Sequence, residues 1–217
     1  REGTVEIDLR RCAFVRPAND SCNSPISLTD GSRTFTNVKA TTDEGLAEGS
    51  PCHNMRLDVW FCYRATCSGD LEIDLCDSTF DTILSVYSGC ACSASGRLAC
   101  SDNDDDADTS DCGGGGLRSK TTLQVTQNNR YMIRVGGFNG VEGSGTVKIT
   151  CTQDDCPNDP DKRSPGICGC GRPDVDADVD GEFDCPGHDN CPGVTNADQA
   201  DTDRVCVGGS SPGRSCT

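Results

Sequence analysis

Aromatic residues are scarce in this 217-residue chain, at 5%, with a single tryptophan, Trp60. Hydrophobic residues of all kinds reach 34%, which is lean for one large core. A lone tryptophan in an apolar strand also offers no platform on which a sugar could stack. Histidine is scarcer still: His53 follows Cys52 in a turn and His188 sits among aspartates. Both read as surface residues rather than catalytic bases. The chain has no G-x-S-x-G, no H-E-x-x-H and no glycine-rich phosphate loop. Its carboxylates are numerous but not set apart as an acid–base pair, so no enzyme is expected. Positive charge is short as well: 19 Lys and Arg face 35 Asp and Glu, a net −16. Nothing offers phosphates a basic stripe, which argues against nucleic acid as a partner. No apolar run approaches membrane-spanning length, so no membrane insertion is expected. No signal peptide stands at Arg1, and a mature, processed secreted chain is expected.

What the chain has in abundance is cysteine and aspartate. Eighteen cysteines, an even number, read as a disulfide framework built in an oxidising compartment. Zinc is the competing use, through Cys90-Ala-Cys92 and Cys168-Gly-Cys170, but two histidines and no recurring C-x-x-C pair speak against it. Cys67 and Cys76 bracket a strand and are the first candidates for a bridge; the strand is long for its ends to meet, so each could take a partner elsewhere. Acidity is denser toward the end: residues 152–217 hold 14 acids against 5 bases, and residues 1–151 hold 21 against 14.

The densest acidic stretch is Asp174-Val-Asp176-Ala-Asp178-Val-Asp180-Gly181-Glu182-Phe-Asp184-Cys185. Carboxylates at every second position, closed by a glycine, are what a hard divalent cation needs. Alternate side chains of one loop converge, Gly181 permits a sharp turn, and Glu182 and Asp184 can complete an oxygen shell. Without a cation, two carboxylates about 5 Å apart repel by roughly 0.8 kcal/mol in water and about 3 kcal/mol at an intermediate dielectric. Ca2+ is therefore the expected ligand. The loop is no EF-hand: counting Asp176 as the first position, Gly187 falls where the bidentate Glu should be. Further on come Asp189-Asn190-Cys191-Pro192, Asn196-Ala-Asp198-Gln199, and Asp201-Thr-Asp203. Over these thirty or so residues the chain resembles a thrombospondin type 3 repeat. The resemblance implies calcium ions wrapped by irregular backbone and pinned by disulfides, with Asp189, Asn190, Asn196, Asp198, Asp201 and Asp203 among the ligands. The long array of repeats that such proteins carry is missing, so no extended rod is implied.

Upstream, short strand signals recur near 33–38, 56–63, 70–75, 82–88, 120–126, 131–136 and 145–151. Leu71, Ile73 and Leu75 alternate with Glu72 and Asp74, and Tyr131, Ile133 and Val135 alternate likewise. No stretch sustains a 3.6-residue period. Many short strands with glycine-rich turns predict an all-β sandwich. Four segments then resemble the bacterial pre-peptidase C-terminal domain in its cysteine-rich form, over roughly residues 19–151. They are Asp58-Val-Trp60-Phe61-Cys62-Tyr63, Phe80-Asp81-Thr82-Ile83-Leu84, Leu98-Ala99-Cys100-Ser-Asp102-Asn103-Asp104, and Tyr131-Met-Ile133-Arg134-Val135-Gly136-Gly137. The resemblance implies a jelly-roll-like sandwich and a non-catalytic module often appended to secreted hydrolases. It also places the acidic loop after Leu98 near Asp81, so that Asp81, Asp102, Asn103 and Asp104 could hold a second cation.

Three segments are expected: an N-terminal strand arm (1–18), the sandwich (19–151) and a disulfide-rich, calcium-organised irregular tail (152–217). In the arm, Val5, Ile7 and Leu9 share one face and Glu6 and Asp8 the other. Such a detached strand pairs within its own sandwich, completes a neighbour's sheet head to tail, or stays a disordered arm. The expected function is a secreted, calcium- and disulfide-stabilised structural protein that assembles with copies of itself into an extracellular filament. The alternative is an accessory binding or adhesion module of a larger secreted hydrolase or surface protein. The one N-glycosylation sequon, Asn19-Asp20-Ser21, is weak evidence as a lone tripeptide and leaves a glycan partner open without making one expected. An end at Thr217, one residue past Cys216, is expected of a gene product that continues.

Overall fold

The computed structural model describes residues 15–43, 52–92, 96–102, 112 and 117–199. Val5, Ile7, Leu9, Asn103, Asp104, Asp201 and Asp203 lie outside them. The chain divides into two compact units, Arg1–Thr152 and Gln153–Thr217. Among the described residues no helix is long and apolar enough to cross a membrane.

The first unit is all-β. Among the described residues its strands are β1 (Ile26–Leu28), β2 (Gly31–Thr36), β3 (Met55–Arg64), β4 (Gly69–Asp74), β5 (Thr82–Ser88), β6 (Arg97–Asp102), β7 (Lys120–Val125), β8 (Arg130–Phe138) and β9 (Ser144–Gln153), with a 3₁₀ turn at Cys52–Asn54. A five-stranded sheet, β1-β3-β8-β5-β6, faces a four-stranded one, β2-β9-β4-β7. If β2 to β9 are counted as eight strands, the sheets read first-eighth-third-sixth and second-seventh-fourth-fifth, which is the strand order of a jelly roll. β1 adds an edge, pairing parallel with β3 through Ile26↔Phe61 and Leu28↔Tyr63.

Period-two patterning builds the core. Val59, Phe61 and Tyr63 of β3, Leu84 and Val86 of β5, and Ile133 and Val135 of β8 meet Leu71 and Ile73 of β4 and Val147 and Ile149 of β9. The intervening residues of the five-stranded sheet are also buried. Trp60, Tyr87 and Met132 form a second cluster with Cys22 and Cys90, and Met55, Ile83 and Cys52 form a third with Cys100. Loops and disulfides therefore cover the outer face of this sheet, which is why β3 and β5 read as near-continuous apolar runs. The burial leaves Trp60 no exposed face for a ligand.

Among the described residues seven disulfides join 22–92, 52–100, 62–90, 67–151, 76–112, 156–170 and 168–185. The expected Cys67–Cys76 bridge does not form. The two cysteines flank the six residues of β4 at opposite ends, and each instead ties its own end, Cys67 to β9 and Cys76 to the segment before β7. Cys90, Cys92, Cys168 and Cys170 are all oxidised, so none is a thiolate for zinc. A bridge set of this density is that of an oxidising compartment. The sequon asparagine is also accounted for. Asn19 is buried, and its Nδ2 donates to Trp60 O at 2.9 Å.

One buried ion pair locks the pairing of β3 with β8. Arg134 Nε donates to Asp58 Oδ2 at 3.1 Å with both side chains out of solvent. The guanidinium also donates to Asp43 O at 2.7 Å and lies 4.9 Å over the Trp60 ring. Burial raises the Asp58 pKa; the guanidinium and the Asp43 N–H work against that rise. Both residues belong to motif segments singled out in the sequence, and their role is to hold the sheet.

Candidate metal centre

The second unit has no strand or helix beyond Gln153 among the described residues. Turns, side-chain caps and two disulfides, 156–170 and 168–185, give it shape. Aspartates do much of the capping, because a short carboxylate accepts readily from the N–H two residues on. Asp154 takes Cys156 N, Asp180 takes Glu182 N, and Asp189 takes Cys191 N, all at 2.7–2.8 Å.

Three of the predicted carboxylates converge. One oxygen from each of Asp176, Asp178 and Asp180 lies within 4.8 Å of the others. At that spacing each pair repels by roughly 0.9 kcal/mol in water and about 3.5 kcal/mol at an effective dielectric near 20. Two features bend the chain here: Gly181 at φ 98°, as its position in the run predicts, and Val179 at φ 60°, a region β-branched residues seldom enter. Asp176 accepts from Gly181 N and Asp180 N, and the first of these bonds is the main cause of its lowered pKa.

Asp189, in the next turn, feels the charges of two of the three, Asp178 and Asp180, without belonging to the converging group itself. It is 8% exposed, and its pKa is raised, first by burial and then by the charges of Asp178 and Asp180. Asp189 Oδ2 and Asp178 Oδ1 are both buried without a hydrogen-bond partner. Their other oxygens are satisfied, Asp178 Oδ2 by Gly193 N at 3.1 Å and Asp189 Oδ1 by Cys191 N. Asp180 Oδ2 accepts from Asn196 N at 2.8 Å. With its nitrogen turned inward, the Asn196 side-chain amide reaches Val194 O at 2.8 Å and Asp180 Oδ2 at 3.3 Å. The turn after Asp189 is thus folded back onto the aspartate loop, with Asn190 clasping Gln199 through Asn190 N to Oε1 and Nδ2 to the backbone oxygen.

The remaining predicted residues are placed differently. Asp184 accepts from Ala177 N at 3.4 Å and caps the loop. Glu182 contributes its N–H to Asp180, and Asp198 is exposed. Asp174 is turned away from the triad: it accepts from Cys168 N and Ile167 N and pairs with Lys162 at 3.1 Å, and these lower its pKa, Cys168 N most. In the first unit, Asp81 precedes β5 and Asp102 ends β6, brought to one end of the strand pair by the Ile83↔Asp102 register. Each is half-buried with one oxygen shielded from solvent. His53 and His188 are both exposed.

No family model matches the chain, so neither family resemblance is carried by one, and no curated protein matches it. Solved structures do. A pre-peptidase C-terminal domain is among them. That domain, from the collagenase of Bacillus anthracis, is 6% identical over 58% of this chain and 94% of its own, with a TM-score of 0.37. PliG of Aeromonas hydrophila, a periplasmic inhibitor of g-type lysozyme, is 12% identical over 58% and 96%, at 0.30. CorA, a surface-associated copper-binding protein of Methylomicrobium album BG8, is 12% identical over 59% and 98%, at 0.38. At these scores none of them bears on what this chain binds.

Proposed function

We propose that the chain is a non-catalytic, secreted structural protein whose tail is organised by Ca2+ and which assembles with copies of itself by strand addition. The observation that carries the calcium reading is the pair of buried, unpartnered oxygens, Asp178 Oδ1 and Asp189 Oδ2, beside the Asp176–Asp180 triad. Buried carboxylate oxygens without donors are costly in a unit with almost no apolar core. A hard cation satisfies all of them at once, and it takes six to eight oxygens at about 2.3–2.6 Å. Asp176, Asp178, Asp180 and Asp189 are the proposed ligands. Asp81 and Asp102, with Asn103 and Asp104, are proposed as a second, weaker site. Assembly is proposed through Val5, Ile7 and Leu9, and each sheet ends in an edge strand to receive them. One such edge among the described strands is β2, with Gly31, Ser32, Arg33 and Thr34 exposed and β9 beside it.

The test is the sign of one substitution in two buffers. Asp189→Asn removes a ligand but also removes a repelled charge. With calcium it should weaken ion binding by about tenfold or more, read by calorimetric titration, and lower the tail's resistance to protease. In chelator the same variant should be the more resistant protein. No binding heat with the wild type, or a variant that is weaker in both buffers, would sink the calcium reading.

A further inference from the structure

The tail holds a second oxygen cage, which none of its aspartate motifs announces. Lys162 Nζ lies 2.7 Å from Pro165 O, 3.0 Å from Gly169 O, 2.9 Å from Arg172 O and 3.1 Å from Asp174 Oδ2. The side chain is 13% exposed. An ammonium has three protons, and four oxygens surround this one. Three backbone carbonyls spaced four and three residues apart, plus one carboxylate, converge on a single positive point, as they would on an ion. The cradle is built around that point. Gly166, at φ 59°, lies so close to Asp174 that a Cβ there would sit 1.9 Å from Asp174 Oδ2. Ile167 N and Cys168 N hold Asp174 Oδ1, fixing the direction of the other oxygen. Gly171 N donates to Asp159 Oδ2 at 2.6 Å, and the 156–170 disulfide closes the loop.

We propose that the loop 162–174 is a cation-binding site that the chain fills with its own lysine. The three carbonyl dipoles and the Asp174 charge repel one another unless a cation sits between them, and the tethered ammonium is always present. This half of the tail therefore needs no dissolved ion, whereas the described residues beyond Asp174 include no lysine or arginine to play that part. The proposal does not rest on the calcium reading. It concerns a different set of oxygens, and its test holds calcium constant.

The prediction concerns the full chain with Lys162→Ala, followed by amide hydrogen exchange at Ile167 and Cys168 in chelator, so that calcium cannot enter the emptied cage. Truncation deletes Cγ through Nζ, the atoms of n-propylammonium. Protection of both amides should fall about tenfold, as expected when a charge-assisted bond is lost. It should return, saturably, with n-propylammonium or potassium and not with tetramethylammonium, which has no proton to donate and is too bulky for the cage. Lys162→Met keeps the bulk of the stem without the charge and should lose protection too, which separates charge from packing. Unchanged protection in either variant, or a loss that neither propylammonium nor potassium reverses, overturns the proposal.

Discussion

Arg134 is among the largest fully buried side chains, and it pairs with the Asp58 carboxylate, donates to the Asp43 carbonyl and lies over the Trp60 ring. Removing a buried ion's partner leaves the desolvation cost of the survivor unopposed. Asp58→Asn, nearly the same size, should lower unfolding free energy by about 3–5 kcal/mol. Replacing both, with Arg134→Met added, should recover most of that loss, because no stranded charge remains. A double-mutant cycle by chemical denaturation measures this. A double variant as unstable as Asp58→Asn alone would mean that the pair acts through shape rather than charge.

At the scale of elements, β8 shows what the sequence makes legible and what it hides. Its alternation of Tyr131, Ile133 and Val135 is visible because one face meets the core. The glycines that end it, Gly136 and Gly137, carry no periodic signal, yet contact decides both. A Cβ on Gly136 would meet Met55 Cγ at 2.4 Å, and one on Gly137 would meet Val141 O at 1.9 Å. The Val141 oxygen belongs to backbone that cannot swing aside, so Gly137→Ala should destabilise the sandwich by roughly 2–3 kcal/mol, read as a shift in denaturation midpoint. A midpoint unchanged within error would mean that the turn after β8 relaxes freely. Two strands escaped the reading for physical reasons. β1 is three residues long, too short for any period. β6 lacks alternation because Leu98 is half exposed and Cys100 is tied to Cys52. In the tail, the alternate aspartates and Gly181 announced the triad through their spacing. Asp189 was named from the turn motif, but its burial against Asp178 and Asp180 is a long-range fact that spacing does not encode. The Lys162 cage was invisible because three of its four oxygens are backbone carbonyls, which any sequence possesses.

At the scale of the molecule, a chain of net charge −16 must either stay apart from its copies or have that charge neutralised. Calcium at the tail would neutralise part of it, so the proposed assembly and the proposed metal centre are coupled through electrostatics. The attraction would come from Val5, Ile7 and Leu9, whose burial on a neighbour contributes roughly 4–8 kcal/mol before the entropy of association is subtracted. That is enough for a head-to-tail contact if a backbone ladder fixes its register, and such a contact propagates unless it closes into a ring. The full chain in millimolar calcium should therefore sediment as extended oligomers and return toward monomer in chelator. A chain lacking residues 1–14 should remain monomeric in both buffers. Oligomers of equal size from the shortened chain would assign the contact to another surface. A full chain that stays monomeric in calcium would instead favour the accessory module of a larger secreted protein.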